Sequence, residues 1–197
     1  MKEYYHRRAA EYDEWWLGTG KWTDVVRPGW EDELAEVAAR LAGLSPARTL
    51  DVACGTGFIT QHLPGQITGL DQSEAMVEIA RERLPKATFV VGDALDLPFE
   101  DGSFDRLFTS YFYCHLEEPE RARFLAESRR VAAELVVMGS IARRDEPRAQ
   151  WQERVLNDGT RWEVFKRVFD PAHLAAELAG EVLHAGTWFV VVQAGSP

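Results

Sequence analysis

A short stretch at residues 49–58, TLDVACGTGF, constrains the fold of this chain more than any other ten residues. An apolar, β-branched run passes Asp51 and breaks into a Gly-Thr-Gly turn, after which an apolar helical pattern begins. This order predicts a buried strand, a tight turn and the start of a helix. Glycine lets a ligand approach the main chain closely, and the first turn of a helix presents free N–H groups. The stretch therefore predicts a ligand bound at a strand end, with an acid nearby.

Two well-known phosphate-binding turns do not match this stretch. A dinucleotide fingerprint G-x-G-x-x-G that starts at Gly55 requires a third glycine at position 60, where the chain has Thr60. A P-loop requires Gly-Lys-Ser/Thr after the turn, where the chain has Phe58 and Ile59. The pattern that remains is D-x-x-x-G-x-G, with an acid at the strand end. The missing third glycine weakens the alternative of a nicotinamide dehydrogenase.

The pattern from Asp51 to Gly57 resembles motif I of the class I S-adenosylmethionine-dependent methyltransferases, of the small-molecule, Rossmann-like type. The resemblance extends over residues 48–140. It implies S-adenosylmethionine as the cofactor and S-adenosylhomocysteine as its product. It also implies cofactor contacts along the turn by Asp51, Ala53, Cys54, Gly55, Thr56 and Gly57.

A second acid closes the next short strand pattern, which runs from Gln66 to Asp71. In the family that the chain resembles, the acid at this position accepts hydrogen bonds from both ribose hydroxyls. A carboxylate suits that role because it offers two acceptor oxygens to a vicinal diol. The alternative role for Asp71 is to cap the following helix, for which Ser73 competes. The resemblance also places Gln72 and Met76 in the cofactor site.

A third acid follows the next strand pattern, in the sequence Gly92-Asp93-Ala94. By itself, Gly-Asp is ordinary turn chemistry. Here it opens a G-D-A-x-x-L-P-F run that resembles the end of strand three in the same family. The resemblance implies that Asp93 accepts a hydrogen bond from the adenine amino group and that the amide of Ala94 meets a ring nitrogen. The series of three acids, rather than any one of them, indicates the cofactor and the fold.

Strand and helix patterns alternate along the rest of the chain. The helices are predicted over Trp30–Ala42, Ser73–Leu84, Pro119–Val131 and Pro171–Ala179, with a short one over Phe58–Leu63. Strands four and five are predicted over Phe104–Tyr111 and Glu134–Gly139, and a closing hairpin over Glu181–Ala185 and Trp188–Gln193 with a Gly186-Thr187 turn. This order indicates one α/β domain over residues 1–197. Its sheet is doubly wound, mostly parallel and seven-stranded, with an antiparallel last strand and helices on both faces.

Composition restricts the possible partners. The chain has 197 residues, 46% of them hydrophobic, which is enough for one domain with a full core. A formal net charge of −10 without a basic run counts against a nucleic-acid partner, since phosphate contact requires clustered Lys or Arg. No segment approaches membrane-span length, and Cys54 and Cys114 give neither a disulfide framework nor a metal spacing. We expect a cytoplasmic monomer or homodimer with no metal and no membrane partner.

The residues after strand four border the predicted ligand site. Open α/β sheets bind ligands at the carboxyl ends of their strands, so the resemblance places Ser110 and Tyr111 beside the methyl donor. The catalytic residues stay unknown at this stage, with His115 and Tyr113 as candidates. His115 is the side chain best suited to act as a general base near neutral pH. A His-Leu pair at this place is, however, frequent in relatives that do not share a substrate.

The first thirty residues are unusually rich in aromatic side chains. Tyr5, Ala9, Tyr12 and Trp16 recur at helical spacing, so one face of a helix is apolar with polar tips. The segment resembles the Tyr-x-x-x-Ala-x-x-Tyr-Asp opening of small-molecule methyltransferases, which implies an aromatic lid over the cofactor at residues 1–30. Aromatic faces attract a cationic sulfonium, and closure excludes water. The alternative is that this helix only packs on the sheet.

The stretch over residues 141–170 is long for a connection inside a compact domain, which points to function or to an extra element. Its pattern predicts a helix over Glu146–Leu156, a turn over residues 157–160 and a strand over Arg161–Phe169. A substrate-side insertion after strand five builds the acceptor pocket in the family that the chain resembles. The candidates for that pocket are Trp151, Arg161 and Trp162, and a solvated face explains the charges equally well.

The resemblance implies methyl transfer to a small molecule by in-line displacement, with an oxygen, nitrogen, sulfur or carbon acceptor left open. Such a transfer depends mainly on positioning, so it requires no obvious catalytic residue. A nucleic-acid or protein methyltransferase is one alternative, although residues 110–113, SYFY, replace the Asn/Asp-Pro-Pro-Tyr/Phe signature of base methylation. A non-catalytic module that binds S-adenosylmethionine without turnover is the other.

Overall fold

The computed structural model describes residues 1–143 and 147–195. The strands are β1 Ala47–Val52, β2 Gly65–Asp71, β3 Thr88–Val91, β4 Phe104–Ser110, β5 Ala132–Ser140, β6 Ala149–Val155, β7 Arg161–Arg167, β8 Gly180–Ala185 and β9 Phe189–Ala194. The α-helices are α1 Lys2–Arg8, α2 Glu14–Leu17, α3 Trp30–Ala42, α4 Glu74–Arg83, α5 Glu118–Val131 and α6 Pro171–Leu178. Over the described ranges, no helix has both the length and the apolar character needed to cross a bilayer.

The main sheet has seven strands in the described part of the chain, in the order β3-β2-β1-β4-β5-β9-β8. The pairs β2–β3, β1–β2, β1–β4 and β4–β5 are all parallel. The last strand, β9, runs antiparallel to both of its neighbours, β5 and β8. This topology confirms the predicted doubly wound sheet. Because the strand order reverses between β1 and β4, a crevice is expected at the carboxyl ends of these two strands.

The centre of the sheet is buried on both faces. Leu107 in β4 packs into the apolar cluster that includes Phe124 of α5 and Leu174 of α6. The next residue, Phe108, points to the opposite face and packs with Val37 of α3. All five side chains are at most 1% exposed, as expected when successive residues of a strand face opposite helical layers. With both faces covered, the strand ends remain as the place for a polar site.

Local hydrogen bonds set the helix starts close to the predicted ones. The Ser73 hydroxyl accepts the N–H of Met76 at 3.3 Å and caps α4, so the cap weighed for Asp71 belongs to Ser73. Glu117 and Glu120 form a capping box, which starts α5 one residue before the predicted proline. These caps explain why the helix boundaries agree with the sequence patterns to within about two residues.

The helix predicted over Glu146–Leu156 is wrong for the described part of that range, and Glu146 itself lies outside it. Residues Ala149–Val155 form β6, which pairs with β7 over seven residue pairs in a separate antiparallel hairpin. Burial alternates strictly along β6, and Trp151 packs against Phe165 of β7 with ring centroids 5.7 Å apart. Cross-strand pairing of this kind overrides a helical preference that local sequence alone suggests.

Two other local predictions require correction. The short helix over Phe58–Leu63 is only a 3₁₀ turn, Thr60–His62, because the Thr60 hydroxyl bonds to Asp51 and Pro64 follows at once. The β8–β9 turn is centred one residue later than predicted, since Gly186 N–H donates to Phe189. The first shift follows from a side-chain hydrogen bond and the second from a backbone hydrogen bond, neither of which the local pattern shows.

The predicted N-terminal helix is divided into α1, a 3₁₀ turn at Ala9–Glu11, and α2. Helix α2 ends at Leu17 because Gly18, directly after it, adopts a left-handed conformation with φ of 65°. Trp16 and Trp30 are 3% and 4% exposed and pack with Phe189 in the core. For these two rings the structure therefore supports the packing alternative.

Candidate active site

A cavity opens at the carboxyl ends of β1, β2 and β4, where the strand order reverses. This strand-end cavity has about 860 Å³ of empty space, which includes space open to solvent. Ten of the residues predicted to contact a cofactor line it, namely Tyr12, Ala53, Gly55, Asp71, Gln72, Met76, Asp93, Ala94, Ser110 and Tyr111. The fold thus gathers residues from five separate parts of the sequence around one space.

Two residues of the strand-end cavity have a strained backbone. Ala53 after β1 has φ of 57° and Tyr111 after β4 has φ of 56°. This left-handed conformation costs a non-glycine residue about 1–2 kcal/mol, whereas Gly55, with φ of 54°, adopts it without that cost. Tyr111 N–H donates to Met138 at 3.0 Å, which helps to hold the strained turn. Strain of this kind concentrates at functional sites.

Asp71 lies at the end of β2 with both carboxylate oxygens fixed by the backbone. Oδ2 accepts the N–H of Gly55 at 3.0 Å, and Oδ1 accepts the N–H of Ser73 at 2.8 Å. Burial raises the pKa of Asp71, and these backbone hydrogen bonds oppose that shift. Each carboxylate oxygen carries two lone pairs, so the orientated group keeps acceptor capacity toward the cavity that it lines.

Asp51 lies beneath the glycine turn and is 1% exposed, outside the wall of the strand-end cavity. Burial raises its pKa to about 7, the Thr60 hydroxyl at 2.6 Å from Oδ2 opposes the shift, and the charge of Asp71 adds to it. Oδ1 has no hydrogen-bond partner within the described ranges. A buried acceptor without a donor favours an N–H or cationic group beside it.

Asp93 and Ala94 form the rim of the cavity after β3. The Asp93 carboxylate accepts the N–H of Leu95 at 2.9 Å, which fixes the turn. Asp93 is exposed and Ala94 is buried, so the acid faces the opening while the chain turns inward. Met76, 1% exposed, closes the cavity from α4. The rim therefore offers one carboxylate and an adjacent apolar surface.

Three other residues of the predicted cofactor set do not line the strand-end cavity. Cys54 packs in an apolar cluster under α4. Thr56 directs its hydroxyl away, toward Asp13, and Gly57 continues the turn with φ of 75°. The structure places these residues behind the wall, where they support the turn.

Side chains of the N-terminal segment, residues 1–30, contribute to the lining of the strand-end cavity. Tyr5 and Tyr12 both line it, and a Cβ on Gly55 would lie 3.6 Å from the ring of Tyr12. Burial raises the pKa of Tyr12 far above neutrality, so its hydroxyl stays protonated. The two rings thus bring polar hydroxyls and aromatic faces over the turn.

One ion pair fastens this segment to the body of the domain. Asp13 accepts the Thr56 hydroxyl at 2.6 Å and also pairs with the Arg83 guanidinium from α4. The Arg83 guanidinium donates in addition to the carbonyl of Thr56 at 2.7 Å. The hydrogen bonds join the N-terminal segment, the glycine turn and α4 at a single point.

A second cavity adjoins the first. This hairpin cavity, of about 1,010 Å³ of empty space, lies between the N-terminal segment and the β6–β7 hairpin. Four residues line both cavities and form their common wall, namely Tyr5, Tyr12, Tyr111 and His115. The remaining lining residues include Tyr4, Arg8, Trp15, Lys21, Trp22, Arg154, Val164 and Lys166. Two ligand-sized spaces therefore meet at one aromatic partition.

The two candidate catalytic residues have different surroundings. His115 lies in the common wall, with Nδ1 2.6 Å from the carbonyl of Phe165. Burial and nearby cations together lower the pKa of His115 to about 4, against the opposing hydrogen bond to Phe165, so the imidazole is neutral at physiological pH. Tyr113 is fully buried, donates to Glu177 at 2.6 Å and lines neither cavity.

The candidates that the sequence offered for the acceptor pocket lie outside both cavities. Trp151 is 59% exposed, Arg161 pairs with Glu153 at 2.6 Å, and Trp162 packs against Tyr4. The cations of the hairpin cavity were missed, although Arg8 lies between Tyr5 and Tyr12 on the same helical repeat. That spacing was the one available signal. Over residues 1–143 and 147–195, no cluster of three potential metal ligands forms.

Comparisons with known proteins agree with this geometry. Residues 50–134 match a family model described as a methyltransferase domain. A demethylmenaquinone methyltransferase of Thermotoga maritima is 38% identical over 107 residues, 52% of this chain and 44% of the relative. The chain thus spans less than half the length of the curated relatives that it matches first.

Solved structures extend the likeness to the whole chain. A structure titled as a DhpI-SAH complex covers 99% of this chain and 95% of its own, with 26% identity and a TM-score of 0.72. A structure titled as a DhpI-SAM-HEP complex covers 97% and 94%, with 24% identity and a TM-score of 0.75. The likeness therefore includes the N-terminal segment and the β6–β7 hairpin as well as the sheet.

Proposed function

Since this chain belongs to the class I S-adenosylmethionine-dependent methyltransferases, we propose that it transfers a methyl group to a small molecule bound in the hairpin cavity. The single observation that carries the proposal is the common wall of the two cavities. A donor in the strand-end cavity and an acceptor in the hairpin cavity would meet where the four residues of that wall border both spaces. Two adjoining sites are what an in-line transfer between two bound molecules requires.

The strand-end cavity fits the donor. Asp71 would hold the ribose, because its orientated carboxylate keeps acceptor capacity toward the cavity. Asp93 and the amide of Ala94 would hold the adenine at the rim, as the family resemblance implies. Asp51, which lies behind the wall of this cavity, would support the glycine turn from beneath. When bound, S-adenosylmethionine supplies an electrophilic methyl group on a cationic sulfur and leaves as S-adenosylhomocysteine.

The protein's own contribution is positioning and exclusion of water. Tyr5 and Tyr12 cover the strand-end cavity, and their aromatic faces suit a cation. The pair formed by Asp13 and Arg83 holds that cover against the glycine turn. We propose that residues 1–30 act as a lid and that residues 141–170 form the acceptor side. His115, neutral in the wall between the cavities, would orient the acceptor.

A small molecule is the acceptor class that the composition and the cavities favour. The net charge of −10 disfavours an extended polyanion, and the proposed acceptor cavity is lined by the N-terminal segment and by the β6–β7 hairpin. The curated relatives include enzymes named for demethylmenaquinone and for phthiotriol dimycocerosates. Those names support a small-molecule acceptor here without selecting its nucleophilic atom. A module that binds the donor without turnover is the competing function.

The proposal is tested by donor binding and by turnover. S-adenosylhomocysteine should raise the unfolding temperature of the wild type, and Asp71→Ala should remove most of that increase. Glu78→Ala, an exposed change on α4, is the matched control and should keep it. Methyl transfer is then followed by mass with isotopically labelled donor and a panel of small acceptors. Donor binding with no product from any acceptor class would favour the non-catalytic module.

A further inference from the structure

The hairpin cavity is strongly basic in a chain that is acidic overall. Four cationic side chains line it, namely Arg8, Lys21, Arg154 and Lys166, against one carboxylate, Glu153. The whole chain has a formal charge of −10. A local excess of cations is a distinctive property of this cavity, because a random placement of the charges of this chain would favour acids.

The local ion pairs leave positive charge directed into the cavity. Glu153 is engaged by Arg161 at 2.6 Å, and Lys21 is neutralised by Glu11 at 2.8 Å. Within the described ranges, neither Arg8 nor Arg154 has a carboxylate at salt-bridge distance. Both residues are only partly exposed. Partial burial of a charged group without a counter-charge is unfavourable in free energy.

The contacts of the two arginines orient them without neutralising them. Arg8 donates to the Tyr4 hydroxyl at 2.8 Å, and its guanidinium carbon lies 4.9 Å from the ring centroid of Tyr12. Arg154 donates to the Gln152 amide oxygen at 2.6 Å. Both partners are uncharged, so they fix the planar groups and preserve their charge. Fixed, uncompensated guanidinium groups are the usual means of binding an oxyanion.

The positive field reaches the wall between the cavities. Besides burial, Lys166, Arg154 and Arg8 each lower the pKa of His115. His115 is on the common wall, so these three charges act where the acceptor would meet the donor. A cationic donor would add one more positive charge next to them. An anion in the hairpin cavity would offset all of these charges together.

We propose that the methyl acceptor is a small organic oxyanion, such as a carboxylate or a phosphate ester, held by Arg8 and Arg154. The inference deepens the proposed function and rests on it. The anionic oxygen forms the new bond to the methyl carbon, the carbon–sulfur bond breaks, and its electron pair stays on sulfur as a neutral thioether. The oxygen carries no proton beforehand, so no base is required. This is consistent with a wall in which His115, with a pKa of about 4, is a weak base and Tyr5 keeps its proton.

The test uses matched pairs of probes on the whole protein with S-adenosylhomocysteine bound. Calorimetry measures binding of inorganic phosphate and phenylacetate against the uncharged phenylacetamide. Mass spectrometry measures ester formation from phenylacetate and phenyl phosphate with labelled S-adenosylmethionine. We expect the wild type to bind the anions and to reject the amide. Arg8→Gln and Arg154→Gln should each weaken anion binding by about tenfold or more.

Matched variants keep the outcomes distinct. Arg7→Gln on the same helix and Arg123→Gln on α5 remove exposed charges and should leave anion binding unchanged. Arg8→Lys and Arg154→Lys keep the positive charge and should recover part of the anion affinity. Equal binding of amide and anions, or unchanged anion binding in both glutamine variants, overturns the oxyanion inference while donor binding persists. If the wild type does not bind S-adenosylhomocysteine, the proposed function is overturned instead.

Discussion

Replacement of Asp51 by Asn should change how the stability of the protein depends on pH. The pKa of Asp51 is about 7 in the folded protein, against an ordinary value of 3.8. The folded state therefore holds the proton more tightly than the unfolded state. The contribution of Asp51 to stability is complete below about pH 4 and is lost as the pH rises through about 7. Asn cannot ionise, so the variant lacks this loss.

The magnitude follows from the shift. Each pH unit between the two pKa values corresponds to about 1.36 kcal/mol. Between about pH 5.5 and about pH 8 the wild type passes through the last 1.5 or so pH units below the folded pKa. Its free energy of unfolding falls by about 2 kcal/mol over that interval. The free energy of unfolding of Asp51→Asn, measured relative to the wild type, should therefore improve by about 2 kcal/mol over that range.

Urea unfolding followed by tryptophan fluorescence measures this difference, because the chain has seven Trp residues as reporters. Asp105→Asn is the control, since its pairing with Arg48 lowers the pKa of Asp105 to about 2, well below the range tested. Its difference from the wild type should not vary with pH. A pH-independent difference for Asp51→Asn as well would refute the reasoning that burial keeps this carboxyl protonated.

Three further results are expected. Asp13→Ala should weaken the binding of S-adenosylhomocysteine in calorimetry, because it releases the N-terminal segment from Arg83. The free energy of unfolding in urea should change little, and an unchanged affinity would contradict the fastening role. Glu134→Gln should lower the free energy of unfolding by about 3–5 kcal/mol, because it leaves the buried Arg106 guanidinium uncompensated; a loss below about 1 kcal/mol would contradict it. The pH profile of kcat should show no inflection from His115 between about pH 5.5 and 8, since its pKa is about 4; an inflection lost in His115→Gln would contradict that assignment.

The sheet and its ligand-binding edge followed from the sequence because they depend on local signals. Apolar runs with Asp51 and Asp71 at or near their ends, and the glycines between these two acids, each predict a strand end or a turn. Parallel strands then bring their carboxyl ends to one edge whatever the rest of the chain does. Ten predicted residues reached a single cavity for this reason.

The parts that were not predicted depend on tertiary contacts. The strain at Ala53 and Tyr111 leaves no trace in composition, since neither is a residue type that favours positive φ. Strand β7 agrees with the strand predicted over Arg161–Phe169, whereas β6 was missed because its pairing with β7 defines it. The basic cavity unites Arg8 with Arg154, which lie far apart in sequence. No local pattern reports such a convergence.

The buried Glu11 has a consequence for how chains of this kind diversify. Its carboxylate accepts both Lys21 Nζ at 2.8 Å and the N–H of Asn157 at 2.6 Å, which ties the first thirty residues to the β6–β7 hairpin. Both tied segments lie outside residues 50–134, the part that the family model recognises. The edge of the sheet that carries the strand-end cavity can therefore be inherited unchanged, while the two segments vary together as one unit. A chimera that exchanges them should be made with both at once, because a new N-terminal segment must supply the carboxylate and a new hairpin must place a backbone N–H against it.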